Sequence, residues 1–167
     1  MVQEEEWIER VYYGGDLPRE AERALHQAAL SYHREEEAEK HLMQALEYAP
    51  DHIAVYIGLY KFYFYKAKLN QALRYAQLCL KRAAHESCLS ENWRQVKVTD
   101  AAFDGFNVSP RFFLFTLKAY GYIQMRLGNL KEGREAIDKV MELDPKDKLG
   151  GSVLLGVLNR LGQDEDE

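Results

Sequence analysis

Histidine and cysteine, the residues that form most zinc sites, are few in this chain, with five His and two Cys. His85 and Cys88 have H-x-x-C spacing, and Cys79 lies nearby in the sequence. A structural zinc site needs four ligands, and no second pair with suitable spacing occurs. The two cysteines form no disulfide framework, and Cys79 falls on an expected core position. We therefore predict no metal site and no cofactor.

The sequence contains no recognisable set of catalytic residues. The chain contains no P-loop, no dinucleotide-binding glycine motif and no nucleophile elbow. Its carboxylates cluster at Glu4–Glu6 and Glu35–Glu37, where solvated helix ends are expected. Catalysis needs groups that meet in a cleft with shifted pKa values, and nothing in the sequence indicates that arrangement. The sequence predicts that the protein is not an enzyme.

Charge is unevenly distributed along the 167 residues, whose net charge is −5. Residues 1–51 hold 5 Lys and Arg against 13 Asp and Glu, a net charge of −8. Residues 52–134 hold 13 against 5, a net charge of +8, and residues 135–167 hold 4 against 9, a net charge of −5. The pattern fits either an ordinary solubilising surface or a basic central surface that attracts an anionic partner.

The stretch from Asp51 to Ala84 predicts a pair of antiparallel helices. Apolar residues recur at three- and four-residue steps on both sides of a short polar break, Lys66–Asn70. Helices joined by so short a turn lie antiparallel. The first helix is apolar around most of its circumference, so further elements must cover it. A local strand at Phe62–Tyr65 is the weaker interpretation, since the apolar run is too long for one strand.

Shifting the sequence by 34 residues finds those further elements. The shift carries Leu25 onto Leu59, Ala38 onto Ala72 and Ala45 onto Cys79. The middle unit carries Tyr56, Leu59, Tyr60 and Tyr63 and then Ala72, and the first unit ends at Pro50. In this period and these residues the chain resembles the tetratricopeptide repeat family.

A third, more divergent unit follows at the C-terminal side. It has Leu117, Tyr120-Gly121, Gly128, Ile137, Val140 and Pro145. It departs from the family pattern by having Gln124 where Tyr is usual and Gly133 where Ala is usual. Small residues matter at such positions because two helices approach closely there.

The resemblance implies an all-α fold, an α-solenoid of about three helical hairpins with a helical cap at each end. Asp16, Asp51 and Asp147 are expected to start helices, Gly162 to end the last one, and Trp7 to pack on the open end of the first repeat. The expected units are an N-terminal cap helix at 3–15, repeat 1 at 19–52, repeat 2 at 53–86, an insertion at 87–113, repeat 3 at 114–147, a C-terminal cap helix at 148–162 and a disordered acidic tail at 163–167.

The insertion is unusually apolar for a connection between repeats. It contains Trp93, Val96, Val98, Phe103, Phe106 and Val108. Three interpretations stay open: it packs on the repeats, it extends a repeat helix, or it contacts a partner. Long ordered insertions are often functional.

The resemblance also implies a binding surface, because the first helix of each repeat lines a concave groove in this family. Aromatic and apolar residues alternate there with basic ones and suit a peptide that carries acidic and apolar side chains. Gly58, Phe115 and Ala119 stand where a clamp for chaperone C-termini needs polar or basic residues, which disfavours that activity. The register places in the groove Arg23, Gln27, Leu30, Ile57, Lys61, Phe64, Tyr65, Phe115, Lys118, Tyr122, Met125 and Arg126.

The sequence therefore predicts a protein-binding adaptor or chaperone-like module. A self-assembling scaffold, in which acidic ends meet basic middles of other copies, is the main alternative. Single-stranded nucleic-acid binding is less favoured because the net charge is negative. The start, MVQEEEWIER, lacks a secretory signal, and no apolar run is long enough to span a membrane, so we expect a cytoplasmic protein.

Overall fold

The computed structural model describes residues 15–166, and side chains up to residue 162. Within this part the chain forms helices and no strand, which confirms the all-α prediction and excludes the strand at Phe62–Tyr65. The predicted N-terminal cap helix, with Trp7, lies outside the described residues. The helices are α1 (Arg19–Leu30), α2 (Glu35–Tyr48), α3 (Ile53–Tyr65), α4 (Leu69–Glu86), a 3-10 helix (Trp93–Gln95), α5 (Val108–Arg126), α6 (Leu130–Leu143) and α7 (Gly151–Asp166).

Three helical hairpins pack one after another, namely α1–α2, α3–α4 and α5–α6, and α7 packs against α6. Small residues lie where the two helices of each hairpin cross. Ala38 and Ala72 are fully buried, and the equivalent residue in α6 is the buried Gly133. A Cβ atom on Gly133 would lie 3.0 Å from the backbone oxygen of Gly121, so α5 and α6 approach each other closely at this point.

The second departure from the repeat pattern, Gln124, belongs to a buried polar network. Its amide donates to the Tyr120 hydroxyl at 3.2 Å and its carbonyl accepts from Asn129 at 2.7 Å. Tyr120 in turn donates to Glu132 at 2.7 Å, and burial raises the pKa of its hydroxyl. A Tyr side chain at position 124 offers no amide to join these groups, so the departure has a local structural reason.

Residues in left-handed conformation end α3 and α5. Ala67 has φ 60°, and Gly128 has φ 89°. In both turns the next residue's N–H bonds to a carbonyl in the last helical turn, from Lys68 to Tyr63 at 2.8 Å and from Asn129 to Gln124 at 2.9 Å. This is the usual way to satisfy C-terminal carbonyls, and it turns the chain back into an antiparallel helix.

Helix α3 is the most deeply buried element of the first two hairpins. Leu59 is 0% exposed and Tyr63 is buried. Burial raises the pKa of Tyr63 to about 12. Buried residues surround most of the helix, whereas Tyr65 at its C-terminal end is 67% exposed. Its C-terminal end is therefore more accessible than the rest of the helix.

The insertion both packs on the repeats and extends a repeat helix. Trp93, Val96 and Phe103 are buried, and α5 begins at Val108, within the predicted insertion. Arg94 stacks over Trp93 and forms ion pairs with Glu132 and Glu135 of α6. Two apolar side chains of the insertion remain outside the core, Val98 and Phe106, and the second is 97% exposed.

A buried ion pair joins the insertion, α5 and the chain after α6. The Arg111 guanidinium lies 3.3 Å from the Asp144 carboxylate and donates to the carbonyl of Phe103 at 3.1 Å. The second carboxylate oxygen of Asp144 accepts from the N–H of Leu149 at 3.0 Å. Because removal of one partner leaves a buried charge uncompensated, such pairs make their surroundings intolerant of substitution.

The cap of α3 differs from the sequence prediction. Its N-terminal cap is His52 rather than Asp51, because the His52 Nδ1 accepts from the N–H of Ala54 at 3.1 Å. The other ring nitrogen therefore carries the proton and donates to Asp16 at 2.8 Å. Asp51 accepts instead from the Tyr56 hydroxyl at 3.2 Å, and burial followed by this bond raises the pKa of Tyr56 to about 12.

The predicted ends of α1 and α7 also differ from the structure. Pro18 caps α1 without a side-chain hydrogen bond, so Asp16 does not cap that helix and bonds to His52 instead. Asp147 accepts from the N–H and hydroxyl of Ser152, but α7 begins only at Gly151. Its end is also later than predicted, since the helix continues past Gly162 to Asp166. Among the described residues, no helix combines the length and apolar character needed to cross a membrane.

The burial of Leu59 gives a stability prediction. Leu59→Ala removes a fully buried side chain and leaves a cavity, so we expect a loss of about 2–5 kcal/mol in the free energy of unfolding. In a domain of this size the melting temperature should fall by roughly 4–20 °C. Leu78→Ala is the matched control, because Leu78 is 38% exposed on α4. Equal melting temperatures for the two variants would show that the assigned helix register is wrong.

The two cysteines should differ in reactivity. Cys79 is fully buried and its burial raises the pKa of the thiol, whereas Cys88 is exposed. Since the thiolate is the reactive form, iodoacetamide should modify one cysteine in the native protein and both in denaturant. Mass spectrometry of the digested protein identifies the site. Native labelling of Cys79 as fast as that of Cys88 would contradict the packing of α4.

Candidate functional site

Helices α1 and α3 lie side by side and run in the same direction. At their N-terminal ends Asp16 accepts from His52, with 2.8 Å between oxygen and nitrogen. At their C-terminal ends the rings of Tyr32 and Phe62 pack edge to face, with centroids 6.2 Å apart. These two contacts hold the helices in register and leave a groove between them.

The groove has a volume of about 750 Å³, within the range of sites that hold a ligand or a short peptide segment. Leu25, Leu42 and Gly58 form part of its apolar lining. A Cβ atom on Gly58 would lie 3.1 Å from a methyl carbon of Leu25, so the small residue preserves space at this point. We call this feature the α1–α3 groove. Its other lining residues are Arg19, Glu22, Arg23, His26, Ala28, Ala29, Tyr32, Lys61, Phe62 and Tyr65.

Basic side chains outnumber acidic ones in the lining of the groove, and aromatic side chains lie beside them. Arg19, Arg23 and Lys61 stand against a single described carboxylate, Glu22. A further cation lies at the C-terminal end, where the Lys66 ammonium is 3.9 Å from the centroid of the Tyr32 ring. An anionic group is therefore attracted to the groove, and the aromatic rings offer apolar surface beside it.

A second group of aromatic residues continues from the groove towards α5. The Phe64 ring packs against Tyr65 at 5.6 Å and against Tyr122 of α5 at 5.5 Å between centroids. The Arg126 guanidinium lies 5.6 Å from the centroid of the Phe64 ring. We call Phe64, Tyr65, Tyr122 and Arg126 the Phe64 cluster. Because Tyr65 belongs to both features, they form one surface.

The structure brings together only some of the predicted groove residues. Arg23, Lys61 and Tyr65 line the α1–α3 groove, and Phe64, Tyr122 and Arg126 belong to the adjoining cluster. Gln27 and Leu30 are exposed but do not line the groove. The face of α1 that lines the groove is therefore rotated slightly about the helix axis from the predicted face.

Four other predicted residues are engaged within the protein. Ile57 and Met125 are buried, so neither can contact a partner without rearrangement. Phe115 is half-buried against the core, and the Lys118 ammonium donates to the backbone oxygen of Leu149 at 2.6 Å. At the third hairpin, predicted groove residues are covered because α7 packs over part of α5. Met125 packs there with Ile137 and Leu158.

Sequence reasoning missed several lining residues, namely Arg19, His26, Tyr32 and Phe62. Arg19, Arg23 and His26 are spaced by four and three residues, so they share one face of α1. This spacing could have identified the groove-facing side of α1 from the sequence. In α3 the lining residues are Gly58, Lys61, Phe62 and Tyr65, which is the predicted face turned by about one residue.

In the described part of the chain, the arrangement of residues supports neither a metal site nor a site that combines the two thiols. No group of three or more His, Cys, Asp or Glu residues is placed to hold a metal ion there. Cys79 is buried while Cys88 is exposed, so the two thiols do not join His85 in one site.

Comparisons with known proteins agree with the helical-hairpin architecture. A model of the tetratricopeptide repeat matches residues 119–147, which include the divergent positions Gln124 and Gly133. An uncharacterized 19.8 kDa protein in the nifW 5′ region of Azotobacter chroococcum is 36% identical over 133 residues, covering 78% of this chain and 74% of the relative. No solved structure matches the chain. The chain thus belongs to the same family as the Azotobacter protein and contains a tetratricopeptide repeat.

Proposed function

We propose that the protein is a non-enzymatic interaction module that binds an acidic, partly apolar peptide segment of a partner protein. The tetratricopeptide repeat indicates a protein-interaction role in general. The observation that carries the specific proposal is the α1–α3 groove, where Arg19, Arg23 and Lys61 lie beside aromatic residues. An apolar anchor of the partner occupies the aromatic surface while its carboxylates pair with these cations.

The groove favours a peptide over a small molecule because of its length and its continuation. It follows α1 from Arg19 to Tyr32, roughly 20 Å at 1.5 Å per residue, and continues into the Phe64 cluster. Tyr, Trp and Arg are the residue types most enriched among those that dominate the binding energy of protein interfaces. Tyr65 and Arg23 are therefore the residues that we expect to contribute most.

The proposal predicts the composition of selected peptides. Random twelve-residue peptides displayed on phage and panned against the wild-type chain should become enriched in sequences that combine Asp or Glu with Trp, Phe or Leu. A fluorescein-labelled copy of the most enriched peptide then serves as the probe in polarisation titrations. Its affinity should fall as salt rises, because the Debye length shortens from about 10 Å at 0.1 M to about 3 Å at 1 M.

Substitutions in the groove should weaken that probe without unfolding the protein. Tyr65→Ala and Lys61→Glu should each raise its Kd at least ten-fold, because one removes an exposed aromatic anchor and the other reverses a charge. Tyr48→Ala and Lys40→Glu are the matched controls, since both residues are exposed on α2 away from the groove. Melting curves of the four variants should stay close to wild type.

Two outcomes would contradict the proposal. Equal losses for the groove variants and their α2 controls would mean that the selected peptides bind elsewhere. Enrichment of basic rather than acidic peptides would mean that the groove's charge does not determine the partner. Tighter binding of a labelled oligo-dT than of any peptide, lost in Lys61→Glu, would favour single-stranded nucleic acid instead.

A further inference from the structure

The sequence that precedes α1 has a composition that matches the α1–α3 groove. Residues 1–14, which the structure does not describe, precede Gly15 and enter α1 through Asp16 and Leu17. They include three consecutive glutamates, Glu4–Glu6, followed directly by Trp7 and Ile8. This is an acidic segment with apolar anchors, the chemistry that the groove is suited to bind.

We propose that residues 4–13 are an intramolecular ligand of the α1–α3 groove and compete with the partner peptide for it. The inference rests on the proposed function, because both invoke the same surface. It adds regulation, since the partner must displace the protein's own N-terminal segment in order to bind.

Length and position allow this contact. Arg19 begins α1 and also lines the groove, so the segment joins the chain four to five residues from the groove's N-terminal end. The groove follows α1 for roughly 20 Å, and ten residues span about 15 Å as a helix or up to about 35 Å when extended. Gly14 and Gly15 tolerate the backbone conformations that a reversal of the chain requires.

Charge distinguishes the groove from the other surface within reach. Helix α2 of the first hairpin exposes Met43 and Tyr48, an alternative surface for the predicted packing of Trp7 on the first repeat. Helix α2, however, carries Glu35, Glu36, Glu37, Glu39 and Glu47 against a single lysine, Lys40. Three glutamates of the N-terminal segment are repelled by that helix and attracted by Arg19, Arg23 and Lys61.

Fixed attachment makes even a weak contact effective. A tethered segment acts at a local concentration of the order of millimolar, so a ligand with a modest intrinsic affinity still occupies the groove for most of the time. A partner must therefore bind more tightly than this segment or act together with a second contact. The expected consequence is a wild-type chain whose apparent affinity for added peptides is lowered.

The test uses the full chain and a fluorescein-labelled peptide with the sequence of residues 1–13, MVQEEEWIERVYY. In the double variant Trp7→Glu, Ile8→Glu the chain's own segment loses its apolar anchors, so the added peptide should bind at least ten-fold more tightly than to wild type. Adding Lys61→Glu to that double variant should abolish this gain. The matched control, Met43→Glu, Tyr48→Glu, should leave the wild-type affinity unchanged.

A direct measurement locates the segment. Photoreactive benzoylphenylalanine at position 7 should cross-link within one chain to the tryptic peptides that contain Lys61 and Tyr65. Cross-links to α2, or release by Met43→Glu, Tyr48→Glu, would mean that the segment caps the open end and would overturn the inference. Cross-links between labelled and unlabelled chains in a mixture would assign the groove to a second copy and would also overturn it.

The outcomes separate this inference from the proposed function. If phage-selected peptides bind the groove while the 1–13 peptide binds neither the wild-type chain nor the double variant, the proposed function stands and the inference is wrong. If the 1–13 peptide binds the double variant but not its Lys61→Glu derivative, the inference stands whether or not a phage-selected peptide is found.

Discussion

Close approach of two antiparallel helices is the constraint on which the structure depends. It is satisfied three times by a small buried residue at the same place in the repeat, Ala38, Ala72 and Gly133. A larger side chain there separates the helices of a hairpin and displaces everything packed outside it. The hairpins can stack, and α3 can be buried on most sides, only because each pair is this thin. The groove between α1 and α3 is a result of that stacking.

Much of the fold followed from the sequence because hydrophobic periodicity and turn chemistry act locally. The helical-hairpin order and the burial of α3 on most sides could both be predicted at this level. Helix caps could not, because each cap depends on a neighbour distant in sequence. His52 caps α3 while its second nitrogen bonds Asp16, 36 residues earlier, and no local pattern reports that contact.

For the candidate site, the sequence indicated the residue types of the surface but not which residues line the groove. Alternating basic and aromatic residues on the first helices indicated the kind of surface, and Arg23, Lys61 and Tyr65 do line the groove. The predicted face of α3 differs from the face that lines the groove by about one residue. Ile57 was therefore predicted in the groove, where Gly58 lies instead. Met125 and Lys118 could not be excluded from sequence, since both are engaged by the chain around α7. Whether a surface residue is covered depends on how the last helix packs.

The buried ion pair between Arg111 and Asp144 has a consequence for how this family can diverge. It ties the chain before α5, and the start of α5 itself, to the chain entering α7, through Phe103 on one side and Leu149 on the other. Deleting the predicted insertion, 87–113, to restore a regular 34-residue period removes Arg111 and leaves the Asp144 carboxylate buried without its partner. Losing Asp144 leaves the Arg111 guanidinium in the same state. Relatives that lack one of these pieces are therefore expected to lack the others, so the insertion, the ion pair and the last helix are inherited or lost together.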